Sequence, residues 1–146
     1  MSRHSSSDLR SVVLMTEFIV HVENRPGTLA TITELLGSSG VNIEALAAYG
    51  YDGEGVLRLI VDDAATTRRI LAEAGFRVEE HTVLTAFMPH APGALASVTR
   101  QLAEADVNID ALYVLSTSAE GIEVAIAVDD NASAVPDLPV TGSISR

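Results

Sequence analysis

Leu29, Ile32 and Leu36 fall at i, i+3 and i+7, and Leu95, Val98 and Leu102 repeat that spacing further along the chain. Such a stripe is what one face of an α-helix buries, so each set predicts a helix. Short β-branched and apolar runs flank these stretches. Glu17 to Val22 reads as a strand that stops at Asn24-Arg25-Pro26-Gly27, and proline is tolerated in the first turn of the helix that follows. Gly37 and Gly40 close that helix, and Val41 opens a strand running to about Gly50. Tyr51-Asp52-Gly53 turns the chain into a further strand, Val56 to Val61. Asp63 then reads as the N-cap of a helix through Ile70, Leu71 and Ala74, closed by Gly75, and Phe76 to Glu80 makes a last strand.

The same order recurs. Shifting the sequence by 66 residues lays Pro26-Gly27 on Pro92-Gly93 and Val41-Asn42-Ile43 on Val107-Asn108-Ile109. From Phe18 to Asp63, 15 of 46 positions are then identical without a gap. Two copies of a strand–helix–strand–strand–helix–strand unit therefore occupy residues 16–80 and 81–146, behind a Ser-rich tail over 1–15 expected to be mobile. The fold class is α+β: two tandem βαββαβ (ferredoxin-like) units, each an antiparallel sheet with both helices on one face. In the second copy Pro136 shortens the second helix to about Asp129 to Ala134, and Leu138 to Ile144 supplies at most a short edge strand.

A sheet with helices on one face only should alternate apolar with polar residues. Val56 to Val61 and Val41 to Tyr49 carry large apolar groups on both sides. Something must cover the open face, whether the sibling copy, a second chain or both, and a homodimer is expected.

Composition narrows the chemistry. The net charge is −11, the nine basic residues are all arginines, and cysteine, lysine and tryptophan are absent. Without lysine there is no P-loop lysine, Schiff base or pyridoxal anchor, and without cysteine no thiol nucleophile, disulfide or Cys-based metal site. Such a charge with no basic stripe argues against nucleic acid and anionic membranes. No apolar run reaches the length of a spanning helix, and Ser11 to Met15 is too short for a signal peptide, so a cytoplasmic protein is expected. His21, His81 and His90 lack metal-ligand spacing, and neither a metal nor a cofactor is expected. Asp62-Asp63 and Asp129-Asp130 precede the second helices and read as caps, while Arg68-Arg69 reads as a solvated helix face.

One loop carries the candidate chemistry. Asn24-Arg25-Pro26-Gly27-Thr28-Leu29 sets a tight turn directly before a helix, whose first N–H groups and dipole favour an anion. Asn24 and Asn42 offer amides able to donate to a carboxylate and accept from an ammonium, and the two are expected to converge at one sheet edge. Turn chemistry alone also accounts for these residues.

The stretch from Val20 to Ala30, with Leu36 and Gly40-Val41-Asn42-Ile43, strongly resembles the ACT domain family, and Pro92-Gly93-Ala94-Leu95-Ala96 with Val107-Asn108-Ile109 carries the same pattern. The resemblance covers nearly everything after the tail and leaves no room for a catalytic domain, as in stand-alone bacterial tandem-ACT proteins. It implies a non-catalytic module that binds an amino acid at an interface between modules, and an unidentified enzyme as the regulated partner. The implied contacts are Asn24, Arg25, Gly27, Thr28, Leu29 and Asn42. Val22 stands where serine-binding members have a histidine, so serine specificity is not implied. In the second copy His90, Ala91 and Ala94 replace Asn24, Arg25 and Thr28. His90, Gly93 and Asn108 are therefore a weaker candidate set, and copy one is expected to bind better.

Two rival functions stand beside this reading. One is an assembly module without a ligand. The other is an acylphosphatase-like hydrolase, imitated by Arg25 and Asn42, although Pro26 removes a donor where a phosphate cradle would want one.

Overall fold

The computed structural model describes residues 11–129 and 140–144. In chain order the elements are β1 (Ser11–Glu23), α1 (Thr28–Ser38), β2 (Ile43–Tyr51), β3 (Glu54–Val61), α2 (Ala64–Glu73), β4 (Arg77–Met88), α3 (Ala94–Glu104), β5 (Ile109–Thr117), β6 (Ile122–Val128) and β7 (Val140–Ile144). By contact the described residues divide into Thr16–His81 and a second unit made of Thr82–Asp129, Val140–Ile144 and Ser11–Met15.

In the first unit the strands run β2-β3-β1-β4. Antiparallel pairs set Phe18 opposite Leu59 and Leu46 opposite Leu59 on its other side. One face of this sheet packs Phe18, Val20, Leu57 and Leu59 against Ile32 and Leu36 of α1 and Leu71 of α2. The second unit repeats the plan: Leu84, Ala86, Val124 and Ile126 of its sheet pack on Val98 and Leu102 of α3. Both units thus share a βαββ frame around an apolar core, which α2 and β4 complete to βαββαβ in the first. The fourth helix expected over Asp129 to Ala134 lies almost entirely outside the described residues.

Three expectations change. Ser11–Met15, assigned to the tail, form the first residues of β1. They belong to the second unit, where the Thr85 hydroxyl donates to the Val13 carbonyl and Leu14 packs on the core. That segment takes the place beside β4 that a fourth strand occupies in a βαββαβ unit, and β7 pairs parallel to it, Leu14 opposite Ser143. The backbone donors of an unpaired edge are satisfied there by chain from before the first copy.

The repeat also slips. The offset of 66 holds for α1 and α3 (Thr28–Ser38 and Ala94–Glu104) and for β2 and β5 (Ile43–Tyr51 and Ile109–Thr117). In the next strand it becomes 67: Phe18 pairs with Leu59, whereas Leu84 pairs with Ile126. A longer β5–β6 connection and a bulge between Val114 and Ser116 absorb the extra residue. The matches Glu54/Glu120, Gly55/Gly121, Ile60/Ile126 and Asp63/Asp129 are therefore out of structural register. Asp62 is the true counterpart of Asp129, and their N–H groups donate to the carbonyls of Asn42 and Asn108 respectively, each at 3.1 Å.

The apolar residues behind the helix face also need correction. Ile19 and Ile60 are buried within the single chain, so an open face in need of a second chain is not what the first unit presents there. Exposed large apolar side chains instead gather on β2 and β5 and at the starts of α1 and α3: Leu29, Leu46, Tyr49 and Tyr51 in the first unit, Leu95 and Val114 in the second. Leu29 and Leu95 were expected on the buried helix stripe, yet each sits one turn too early to reach the core.

Candidate functional site

The β1–α1 connection in the first unit begins where Glu23 pairs with Glu54 and the Asn24 N–H donates to the Gly53 carbonyl at 2.9 Å. Gly27 takes φ 92°, a left-handed conformation that swings the chain into α1. No side chain caps α1; the Thr28 N–H reaches back to the Arg25 carbonyl at 3.3 Å. Gly93 repeats this geometry before α3, with φ 88° and again no side-chain cap. Two helix N-termini of positive polarity are thus left open.

The first opens beside a cleft of about 220 Å³, bordered by Asn24, Arg25, Thr28 and Leu29 on the loop side. Its sheet side is a notch. Gly50 of β2 and Gly55 of β3 are cross-strand partners, and Gly55 also faces Val22 of β1. Neither glycine has a side chain, and Val22, Ala48 and Leu57 form apolar walls. The Asn24 amide lies directly over Gly50, so a Cβ there would collide with Asn24 Nδ2. A Cβ on Gly55 would come within 3.0 Å of Val22 Cγ2. Arg25 extends from the mouth, where its Nε donates to Glu23 Oε1 at 3.2 Å.

The second unit fills the same place. Met88 stands for Val22 and is fully buried; Ile122 stands for Gly55 and packs on the core. Thr117 pairs with Ile122 where the first unit has two glycines.

Sequence reasoning brought Asn24 and Asn42 together, and the register keeps them apart. Asn24 lies against Gly50 at the β2–β3 hairpin end, while Asn42 precedes Ile43, which pairs with Val61 at the other end of the sheet. Eight residues of strand at about 3.3 Å each put the two about 25 Å apart within one unit. The error was topological: a helix crossover returns the chain to the starting end, so β1 and β2 run parallel. Asn42 instead exchanges bonds with Asp62, its N–H donating to Oδ1 at 2.9 Å. The same separation removes the arginine–asparagine pair that imitated an acylphosphatase. In the second unit His90 is exposed in the loop, and the Asn108 amide donates to Asp110 Oδ1 at 2.8 Å. Gly27, expected to make room for a ligand, stands in open space: a Cβ added there would meet nothing within 4 Å. It does not border the cleft, and the left-handed turn into α1 accounts for the glycine.

The notch itself was missed. The signal was Gly50 and Gly55 bracketing the hairpin at equal distance, which makes them cross-strand partners.

Elsewhere the polar clusters have structural explanations. Asp63 caps α2, accepting from the Thr66 N–H at 3.0 Å and hydroxyl at 2.6 Å, and these bonds hold its carboxyl below the ordinary range. Arg68, read as solvated, makes a two-pronged pair with Glu80 at 2.6 and 2.7 Å that holds the Glu80 carboxyl down. Glu79 accepts from His21 at 2.6 Å and from His81 at 3.3 Å, which lowers its carboxyl too. Among the described residues no group of three or more His, Cys, Asp or Glu is arranged to hold a metal. Among them, too, no helix is long and apolar enough to cross a membrane.

The family model of the ACT domain pair matches residues 13–139, so the chain belongs to that family of paired ACT domains. Among solved structures it is similar to protein BT0572 from Bacteroides thetaiotaomicron, at 27% identity and a TM-score of 0.76 over 85% of each chain. It also shares its fold with the ligand-free regulatory subunit of aspartate kinase from Thermus thermophilus, at 16% identity and a TM-score of 0.62, covering 88% of this chain and 94% of that one. No curated protein sequence matches it.

Proposed function

We propose that this protein is a non-catalytic regulatory module of the cytoplasm that binds an amino acid at the β1–α1 loop of its first unit. The observation that carries the reading is the juxtaposition of the uncapped N-terminus of α1, the Asn24 amide and a cleft of about 220 Å³. The ligand carboxylate lies toward the first N–H groups of α1, where the helix dipole favours it, and the Asn24 carbonyl accepts from the ammonium. Arg25 and Thr28 border the mouth. Asn42 joins such a site only when a second copy of the chain supplies it, which is a role for the expected homodimer. Belonging to the ACT domain pair family supports regulation over catalysis, and the ligand-free kinase protein of the same fold is itself a regulatory subunit.

The test is a melting-temperature panel of the full chain against the twenty amino acids. At least one should raise the transition, because a ligand that binds only the folded state stabilises it. Calorimetry should then show Asn24→Ala weakening binding about tenfold to a hundredfold, as losing one hydrogen bond to a charged group implies. His90→Ala should change it less. A flat panel would sink the reading.

A second reading applies to the other copy. Met88 and Ile122 occupy its notch, which favours an assembly role there over a ligand site at His90, Gly93 and Asn108.

A further inference from the structure

The notch determines which part of an amino acid the site can tell apart, and this inference rests on the ligand reading above. We infer that the cleft selects an amino acid with an aliphatic side chain of three or four carbons, such as valine, leucine or isoleucine. Its apolar lining is Val22, Leu29, Ala48 and Leu57, set beside Gly55 and beside Gly50 with the Asn24 amide over it. Leu57 is almost wholly buried, whereas Leu29 remains 41% exposed, so the cleft lies between a fixed apolar wall and an apolar side chain left uncovered. A cleft of about 220 Å³, about seven water volumes at ~30 Å³ each, has room for such a side chain.

The polar groups of the loop suit the zwitterionic end. Asn24 is anchored by its own N–H to the Gly53 carbonyl, and the exposed Arg25 and Glu23 side chains meet at 3.2 Å. The notch walls, Val22, Ala48 and Leu57, carry no polar group in their side chains. With Asn24 taken by the zwitterion, a ligand hydroxyl, amide or charge set against these walls would give up water without a partner from them. The second unit supplies an internal comparison: where the first has Val22 and Gly55, it has Met88 and Ile122. The side chains that close that notch are the chemical kind the open one would admit.

Calorimetry on the full chain decides it, with valine, leucine and isoleucine set against alanine, serine, threonine, aspartate and lysine. The branched aliphatic set should bind at least tenfold tighter than alanine, the smallest gain expected for added methyl groups in an apolar pocket. Gly55→Ile, which installs the residue found at the matching place of the second unit, should abolish that binding. Ala48→Leu, at an exposed position on the rim, should weaken it at least tenfold and serves if Gly55→Ile does not fold. A polar or charged amino acid binding most tightly, with Asn24 required, overturns the aliphatic assignment and keeps the amino-acid site. Leucine binding unchanged in folded Gly55→Ile or in Ala48→Leu also overturns it. Binding of no amino acid overturns instead the reading on which it rests.

Discussion

Gly27 and Gly55 are both glycines at the candidate site, and they are glycine for different reasons. Gly27 holds φ 92° in open space, so a substitution there is opposed by backbone conformation, at about 1–2 kcal/mol for an L-residue in the left-handed region. Asparagine visits that region readily and a β-branched residue does not. Gly27→Asn should therefore unfold in denaturant close to wild type and Gly27→Val well before it. Equal midpoints would show that the turn does not impose the conformation. Gly55 has an ordinary backbone and is limited by Val22 instead, so its substitution is expected to register in ligand binding.

At the scale of elements, the N-cap of α2 and the start of β4 respond to pH through carboxyls held low. Glu79 is the clearest case: hydrogen bonds from His21 and then His81 favour its charged form. A carboxyl whose pKa is lower folded than unfolded stabilises the fold above its unfolded value, about pH 4.3, and that contribution is lost as pH falls through the folded value. The melting-temperature gap between wild type and Glu79→Gln should therefore be widest near neutral pH and close on acidification. A gap that stays constant down to pH ~3 would contradict the bridging geometry. Taking the difference cancels the relief of self-repulsion that protonation brings to a chain of net charge −11. Asp63 is the N-cap of α2, so Asp63→Ala should lower the melting temperature and Asp63→Asn should largely preserve it, because asparagine accepts the same bond from the Thr66 N–H.

For the molecule as a whole, the two cores are built from matching residues. Leu36 and Leu102 are both fully buried at the same place in their helices. Replacing either by alanine should cost about 2–5 kcal/mol in denaturant unfolding, through lost transfer energy and the cavity left behind. The expected homodimer now rests on β2, with Leu46, Tyr49 and the 77%-exposed Tyr51, and not on the sheet face at Ile19 and Ile60. Light scattering should give twice the 15.4 kDa chain mass at micromolar concentration, and Tyr51→Glu should shift the population toward the monomer. A wild-type species of single-chain mass would leave that edge without a second copy.

The amino-acid sequence by itself determined the repeat, both Pro-Gly turns, the Asp63 cap and the paired βαββαβ plan. Each of these depends on local spacing: a 3.6-residue stripe, a Pro-Gly turn, an acidic residue before a helix. It also marked the Asn24 loop as chemically open, because an uncapped helix start is legible from the residues around it. Tertiary structure decided what depends on partners distant in sequence. Only strand register shows that Asn24 and Asn42 sit at opposite ends of the sheet, because the parallel crossover reverses an adjacency that the sequence suggested. Register also sets Gly55 beside Val22 in one unit where Ile122 meets Met88 in the other. Sequence identity placed Gly121 on Gly55, but hydrogen bonding placed Ile122 there, since the sheet aligns backbone donors and acceptors and is indifferent to which letters match. The membership of Ser11–Met15 in the second unit follows from the same demand, that an edge strand find a partner wherever the chain supplies one.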